Sequence, residues 1–531
     1  MNGTRAARAA IGLAGVLALL GCTASEPDQE PSGAESSSAA AEDGGGQSDS
    51  EEDGAPPATY HSYVSQPDLT PPRISISKGP AAEEGAAEDE YIFLSPNSSG
   101  GSPLTGRMIL DLSGEPVWAQ PSGEESEGSP EFGFRPQQYQ DEPVLTWYVG
   151  PAISGHGAGS YRMVDSNYEE ISTITTGGDL GEGKADMHDS TITPDGTILL
   201  TSYPKKQADL SEIGGPEEGW VYEGVVQEVD IDSGEVLFEW HSLDHVPVEQ
   251  TEADFEAAQE DAEENDKEAG TEESPFDYFH INSVSLDEDG SLLVSARNTH
   301  AVYQIDHESG EVNWVLGGKA SDFEFGQDAD FHWQHDAERQ DDGTLTLFDN
   351  EASPEVRDHS RGLRLDLNMD TMTAEVVTEY IAPRKRLAGA MGSFQELENG
   401  NVLIGWGTEP YFSEFTKDGE LIYDAWIRAR NNYRAYRGEW HGTPTTDPAV
   451  VYKPDEPTPA VYVSWNGATE VEQWRLLAGE DKDNMSEVTT VTSTGFETAI
   501  QAPGDPGAMT VEALDENGEV IGSAPVEIEE K

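Results

Sequence analysis

Apolar runs of strand length, each closed by a glycine turn and answered by a second apolar run, recur along most of the chain. His188 opens HDSTITPDGTILL, His280 opens HINSVSLDEDGSLLVS and His335 opens HDAERQDDGTLTLF. The histidine stands eight residues before its turn glycine at Gly196 and Gly343 and ten before it at Gly290, so the three phrases predict hairpins whose first strands are structurally equivalent. A second phrase follows the first. It runs Ser-Gly-Glu, an apolar pair and an aromatic, and ends at Trp118, Trp240 and Trp314, with a DGELIYDAW copy ending at Trp426. Glycine supplies the positive φ that such turns need, and the terminal tryptophans are expected to pack between sheets. Six units of about four strands each are predicted, near 91–120, 134–176, 188–241, 280–318, 335–381 and 393–427. Arranged radially they make an all-β, six-bladed β-propeller over 71–452.

After 452 the blade phrase disappears. Short alternating strands such as AVYVSWNG, VTTVTSTG and GAMTVEALDENG predict a small Ig-like β-sandwich over 453–531, with Asp455 to Pro459 as its linker. At the other end, Arg5 and Arg8 precede an apolar run from Ala9 to Leu20, and Gly21 and Cys22 follow it. Residues 1–22 read as a signal peptide too short to serve as a transmembrane helix. Leu19-Leu20-Gly21-Cys22 resembles a bacterial lipobox, which implies lipidation at Cys22 and an exported protein anchored on the outer face of the cell membrane. An ordinary cleaved signal that ends in cysteine is the plainer alternative. Cys22 is the sole cysteine, so the mature monomer has no disulfide. Residues 23–70 are too poor in apolar groups to offset ordering entropy and read as a disordered acidic tether. An acidic stretch near 249–273 reads as a solvated surface insertion, partly helical at best.

Charge narrows the function. With 104 acidic against 29 basic residues the net charge is −75, which excludes nucleic acid as a partner and leaves the membrane reachable only through the N-terminal anchor. A solvated exterior suited to salty or extracellular conditions accounts for most of it. No Gly-x-Ser-x-Gly turn, Walker loop or Cys-x-x-Cys is present, and DLNMDTMTAE is only a weak imitation of a calcium loop. No cofactor and no bound metal are expected.

At equivalent positions His188, His280 and His335 should converge at one mouth of the propeller, with Arg297 of SARNTH reaching back across its hairpin. Taken singly, a strand-opening histidine is an ordinary hydrogen-bonding group and an arginine is a surface ion pair. Three histidines in register point instead to a site, and imidazole with guanidinium suits an oxyanion. Two other readings remain open. Three imidazoles also suit zinc in a metal-dependent hydrolase or lyase, and a non-catalytic surface propeller would bind an anion without turnover. Arg135 in FGFRPQQY either enters the channel or sits at a blade edge. Trp147, Tyr203 and Trp333 either stack on an aromatic substrate or pack, and His332, His359 and His441 read as loop or rim residues.

The ordered run FHINSV, SARNT, VNWVLGG, WQHDA and TLFDN between 279 and 350 resembles the bacterial arylsulfotransferases. The tail phrase VSWNGATEVEQW is similar to the sandwich appended in one lipoprotein branch of that family. The resemblance implies transfer of a sulfuryl group from a phenolic sulfate donor to a phenolic acceptor without a nucleotide sulfate donor. It implies His335 as the nucleophile that carries the group, with His280, His188 and Arg297 binding and polarising the sulfuryl oxygens. Arg135, Trp333 and Tyr203 are candidate substrate-binding residues. A neutral His335 needs a partner for its second ring nitrogen, and the sequence names none.

Overall fold

The computed structural model describes residues 60–82, 90–97, 106–122, 131–153, 155–504 and 506–528. The expected signal peptide, Cys22 and the first part of the expected tether lie outside them. The described chain is all-β, built from many small and mostly antiparallel sheets.

The apolar periodicity explains which strand sits where. Thr197–Ser202, Leu292–Ala296 and Leu345–Asp349 are buried at every position, as expected of strands covered on both faces. The last strands of the same sheets, Val236–His241 and Thr373–Tyr380, mix buried and exposed positions. Ser190–Ile192, Thr197–Ser202, Val225–Asp230 and Val236–His241 make one four-stranded meander. Ile281–Leu286, Leu292–Ala296, Ala301–Ile305 and Val312–Gly317 make the next. His335–Arg339, Leu345–Asp349, Arg361–Asn368 and Thr373–Tyr380 form a third, extended by the short strand Glu324–Phe325. Neighbouring sheets share cores: Leu199, Val226 and Trp240 pack with Ile281, Val294 and Tyr303, and Leu293, Val302 and Trp314 pack with Ala337, Leu347 and Leu363. Trp118, Trp240 and Trp314 are buried as predicted, and truncating one to alanine costs about 3–5 kcal/mol. Trp426 differs. It is 37% exposed, paired with Ser75 and stacked under the Arg428 guanidinium.

Two sheets are completed by strands distant in sequence. Ile74–Lys78 pairs with Leu421–Ile427, and Tyr436–Glu439 pairs with Glu90–Leu94. The tether ends earlier than its composition suggested, because Tyr63 and Leu69 are buried in the same cluster as Leu403 and Phe412, and Ser65 donates to Glu497. In the acidic insertion, Asp254 caps a ten-residue helix, Phe255–Glu264, which Phe255 anchors against Phe276. One buried aromatic thus orders a segment that its charge made look solvated.

The C-terminal region holds two antiparallel sheets around Val461, Val463, Trp474, Leu476, Ile500 and Val511. It begins before 453, since Ala449–Lys453 pairs with Ala460–Ser464. Residues 455–459 therefore connect two strands of one sheet and are not an interdomain linker. The region holds the outer strand Pro116–Pro121 through Asn466, which both accepts from and donates to the Ala119 backbone.

Candidate active site

His188 lies just before strand Ser190–Ile192, His280 just before Ile281–Leu286, and His335 opens His335–Arg339. The equivalent starts bring them to one place. The His188 and His280 rings lie 4.9 Å apart, and the Tyr203 ring lies 5.8 Å from the first and 6.0 Å from the second. Arg297 follows its strand directly, and its backbone N–H donates to the His280 carbonyl at 2.9 Å, which sets the two residues side by side across the hairpin. Its guanidinium donates to Asn298 and to the Gly389 carbonyl and sits 4.7 Å over the Trp333 ring.

Each imidazole has one nitrogen assigned by a partner that the sequence reading did not identify. Asp186 accepts at 2.5 Å from Nδ1 of His188, and Asp277 accepts at 2.5 Å from Nδ1 of His280 and at 3.0 Å from Nε2 of His156. Asp186 is fully buried and also accepts from the Gly157 amide. Burial opposes its ionisation, yet the charge and hydrogen bond of His188 and the Gly157 amide hold it below the usual carboxylate range. Burial likewise opposes ionisation of Asp277, and His280 and His156 hold it well below.

For His335 the partner is Asn350. Its amide nitrogen donates to the Ala388 and Met391 carbonyls, both at 2.9 Å, so its oxygen must face His335 Nδ1 at 2.7 Å. That oxygen only accepts. Nδ1 of His335 therefore carries the proton and Nε2 keeps a lone pair, toward which the Met391 amide points at 3.2 Å. Burial, and then the charges of Arg297, His280 and His188, drive the His335 pKa well below its ordinary value. Burial also lowers His280 to about 4 against the pull of Asp277. At neutral pH both rings are neutral, and His335 presents an unprotonated nitrogen to a site that receives positive charge from Arg297.

The other sequence candidates divide. Tyr203 lies among the histidines, with its hydroxyl on the Ile281 carbonyl and its pKa driven well above normal by burial and by the Asp186 and Asp277 charges. Trp333 is buried under Arg297 and donates to the Pro354 carbonyl. Arg135 is engaged elsewhere: it binds the Ser190 carbonyl and Thr191, with Asp189 at 3.6 Å. Trp147 carries the Arg107 guanidinium at 3.8 Å in a packing cluster. His332, His359 and His441 pair with Glu351, Asp358 and Glu470. His156 from GHGAG, which the sequence reading passed over, lies 5.4 Å from the His280 ring.

Among the described residues His156, Asp277 and His280 could together hold a metal ion, their ligand atoms lying within 4.8 Å of one another. That group differs from the three strand-opening histidines. Its shared carboxylate oxygen already accepts from both rings, and a cation would have to displace those protons.

The family model described as Arylsulfotransferase (ASST) matches residues 135–428. No curated protein matches the chain. Among solved structures, a Bacteroides caccae protein of unknown function is 13% identical, covering 65% of this chain and 98% of its own, with a TM-score of 0.38. A streptogramin B lyase is 10% identical over 74% of this chain and 94% of its own, at TM-score 0.32. A catalytically inactive variant of virginiamycin B lyase from Staphylococcus aureus with quinupristin is 11% identical over 75% of this chain and 95% of its own, at TM-score 0.29.

Proposed function

The chain belongs to the arylsulfotransferase (ASST) family, and from that premise we propose that it carries a sulfuryl group from a phenolic sulfate ester to a phenol in two steps through sulfated His335. The observation that carries this reading is the Asn350 contact, which places the proton of a neutral, buried His335 on Nδ1 and its lone pair on Nε2, where attack on sulfur displaces the hydrogen bond from the Met391 amide. In the first step that lone pair forms an N–S bond while the S–O bond to the aryl group breaks, and the electron pair leaves with the phenolate. Arg297 supplies positive charge to the non-bridging oxygens, with the Met391 N–H as a further donor. In the second step an acceptor phenol surrenders its proton to Nε2 of neutral His280, and Asp277 stabilises the imidazolium that results. The phenol oxygen then forms its bond to sulfur, and the N–S electron pair returns to His335. Proton transfer of this kind is worth about 10²–10⁴ in rate.

The six sheets of four or five strands between 74 and 439 are read as blades of a propeller, and the C-terminal pair of sheets as an Ig-like sandwich. The lipobox-like segment ending at Cys22 supports export and anchoring on the outer face of the membrane. Purified protein incubated with a chromogenic aryl sulfate should release chromophore only when a phenol is added, and His335→Ala should abolish release. Quenching before the acceptor is added should leave one SO3 on the His335 peptide. The His156–Asp277–His280 group keeps a metal-dependent hydrolase as the second reading. Release without phenol, lost on adding a chelator, would select it.

A further inference from the structure

A cavity of about 450 Å³ opens beside the histidine cluster, lined by His156, Leu180, Lys184, Tyr203, Lys205 and Tyr222. Its size suits a small aromatic ligand, since pockets for organic ligands run from about 300 to 1,000 Å³. One small sheet ties it to the site. Lys205–Ala208 pairs with Gly219–Tyr222, which pairs in parallel with Phe276–Asp277, so Lys205, Tyr222 and Asp277 fall in one cross-strand row. His156 lies against two members of that row, its ring 4.4 Å from Tyr222 and its Nε2 3.0 Å from Asp277.

The two lysines are the unusual feature. In a chain carrying −75 charges, an anion approaching the surface meets repulsion unless cations are set in its path. Lys205 is exposed, held by the Glu272 carbonyl at 2.8 Å and above the Tyr222 ring at 6.0 Å. Lys184 is exposed on the facing segment, its backbone fixed by Thr176 and Ser202. Among the described residues neither ammonium lies within ion-pair distance of a carboxylate. Aromatic walls next to the histidines, with two cations farther out, describe a ring whose reacting oxygen faces His280 and whose distant end carries a negative charge.

We propose that this cavity binds the aryl group of the acceptor and selects phenols that carry an anionic substituent, such as a carboxylate, remote from the hydroxyl. The inference rests on the sulfotransferase reading for its chemistry but not for its binding. It is tested with the full-length protein and a neutral aryl sulfate donor, comparing 4-hydroxybenzoate with the uncharged 4-hydroxybenzamide as acceptors. Wild-type protein should prefer the benzoate in kcat/KM. Lys184→Ala and Lys205→Ala should each cut that preference about threefold and the double variant about tenfold, as expected for solvent-exposed charge pairs. Lys205→Glu should reverse the preference, and added salt should shrink it. An unchanged preference in the double variant would overturn the proposal. If no acceptor is sulfated, calorimetry with 4-hydroxybenzoate alone decides the matter separately. Binding that the double variant loses upholds the pocket while the sulfotransferase reading fails, and absence of binding to wild type overturns the pocket.

Discussion

His188 and Asp189 are neighbours in sequence, as are His335 and Asp336, yet the two members of each pair serve layers of opposite electrostatic design. In the histidine layer, Nδ1 of each ring is committed to Asp186, Asp277 or Asn350, which leaves Nε2 as the remaining nitrogen of His188 and His280 and sets Nε2 of His335 against the Met391 amide. In the adjacent layer Arg434 donates to Asp189 at 3.1 Å and to the Asn282 carbonyl at 2.9 Å and lies 2.8 Å from Asp336, with Arg135 3.6 Å from the same Asp189 oxygen. That layer has its charges matched within itself. Burial there pushes Asp336 up despite Arg434, and lifts the nearby Glu338 to about 8. Paired charges bind side chains to one another, whereas a ring with one assigned nitrogen can bind something else. The same strands thus carry a layer suited to chemistry and a layer suited to holding the sheets together.

The sharpest way to separate the layers is to remove one group from each. His335→Ala should lower sulfuryl transfer by 10³-fold or more while costing only about 1–2 kcal/mol of stability, as Asn350 and the Met391 amide lose a partner. Arg434→Met should do the reverse in stability, costing about 3–5 kcal/mol because Asp189 and Asp336 lose their shared counter-charge. Transfer rates and denaturant titrations of the two variants check both. If Arg434→Met unfolds like wild type, the second layer is not structural.

A smaller effect tests how the first layer is set. Asn350→Ala should reduce kcat on the order of 10²-fold with little change in KM, since misassigning the ring tautomer impairs a catalytic histidine. Asn350→Asp retains an acceptor for Nδ1–H and should restore part of the rate. It should also move the acid limb of the pH profile upward, because a carboxylate beside His335 favours the imidazolium. Equal damage from both substitutions would mean that Asn350 matters only for packing.

Much of this arrangement is legible along the chain, and the exceptions have physical reasons. The shared register of His188, His280 and His335 survives as spacing to a turn glycine, and the hairpins place Arg297 beside His280. Asp186 and Asp277 escape that pattern because they stand two and three residues ahead of their histidines, one in an irregular segment and the other in the two-residue strand Phe276–Asp277, with no common phrase. Asn350 was within reach. His335 pairs with Phe348, so the residue two further along that strand returns to the histidine's end of the hairpin. The completing strands Ile74–Lys78 and Tyr436–Glu439 leave no local signal, since their partners lie hundreds of residues away. Composition misled at Tyr63, Leu69 and Phe255, where one or two apolar side chains in polar surroundings suffice to anchor a segment.

The smallest difference between the layers should appear as acid sensitivity. His280 is lowered to about 4 in the folded protein, first by burial, whereas in the unfolded chain it titrates near its ordinary 6.5. As pH falls below 6.5 the unfolded state takes up a proton that the folded state refuses, so stability drops until the pH nears 4 and then levels off for this group. Asp277 is held well below its ordinary value and acts in a lower window: its contribution is present above about 4 and is lost as the pH falls further. The His280 step should amount to roughly 1–2 kcal/mol once partial relaxation is allowed for. His280→Asn should therefore flatten the stability curve between pH 6.5 and 4 and also shrink the lower window, because Asp277 then keeps only His156 as a charged partner. Urea midpoints measured across that range would show it, and curves for the two proteins that stay parallel would mean that the histidine layer titrates together with the rest of the fold.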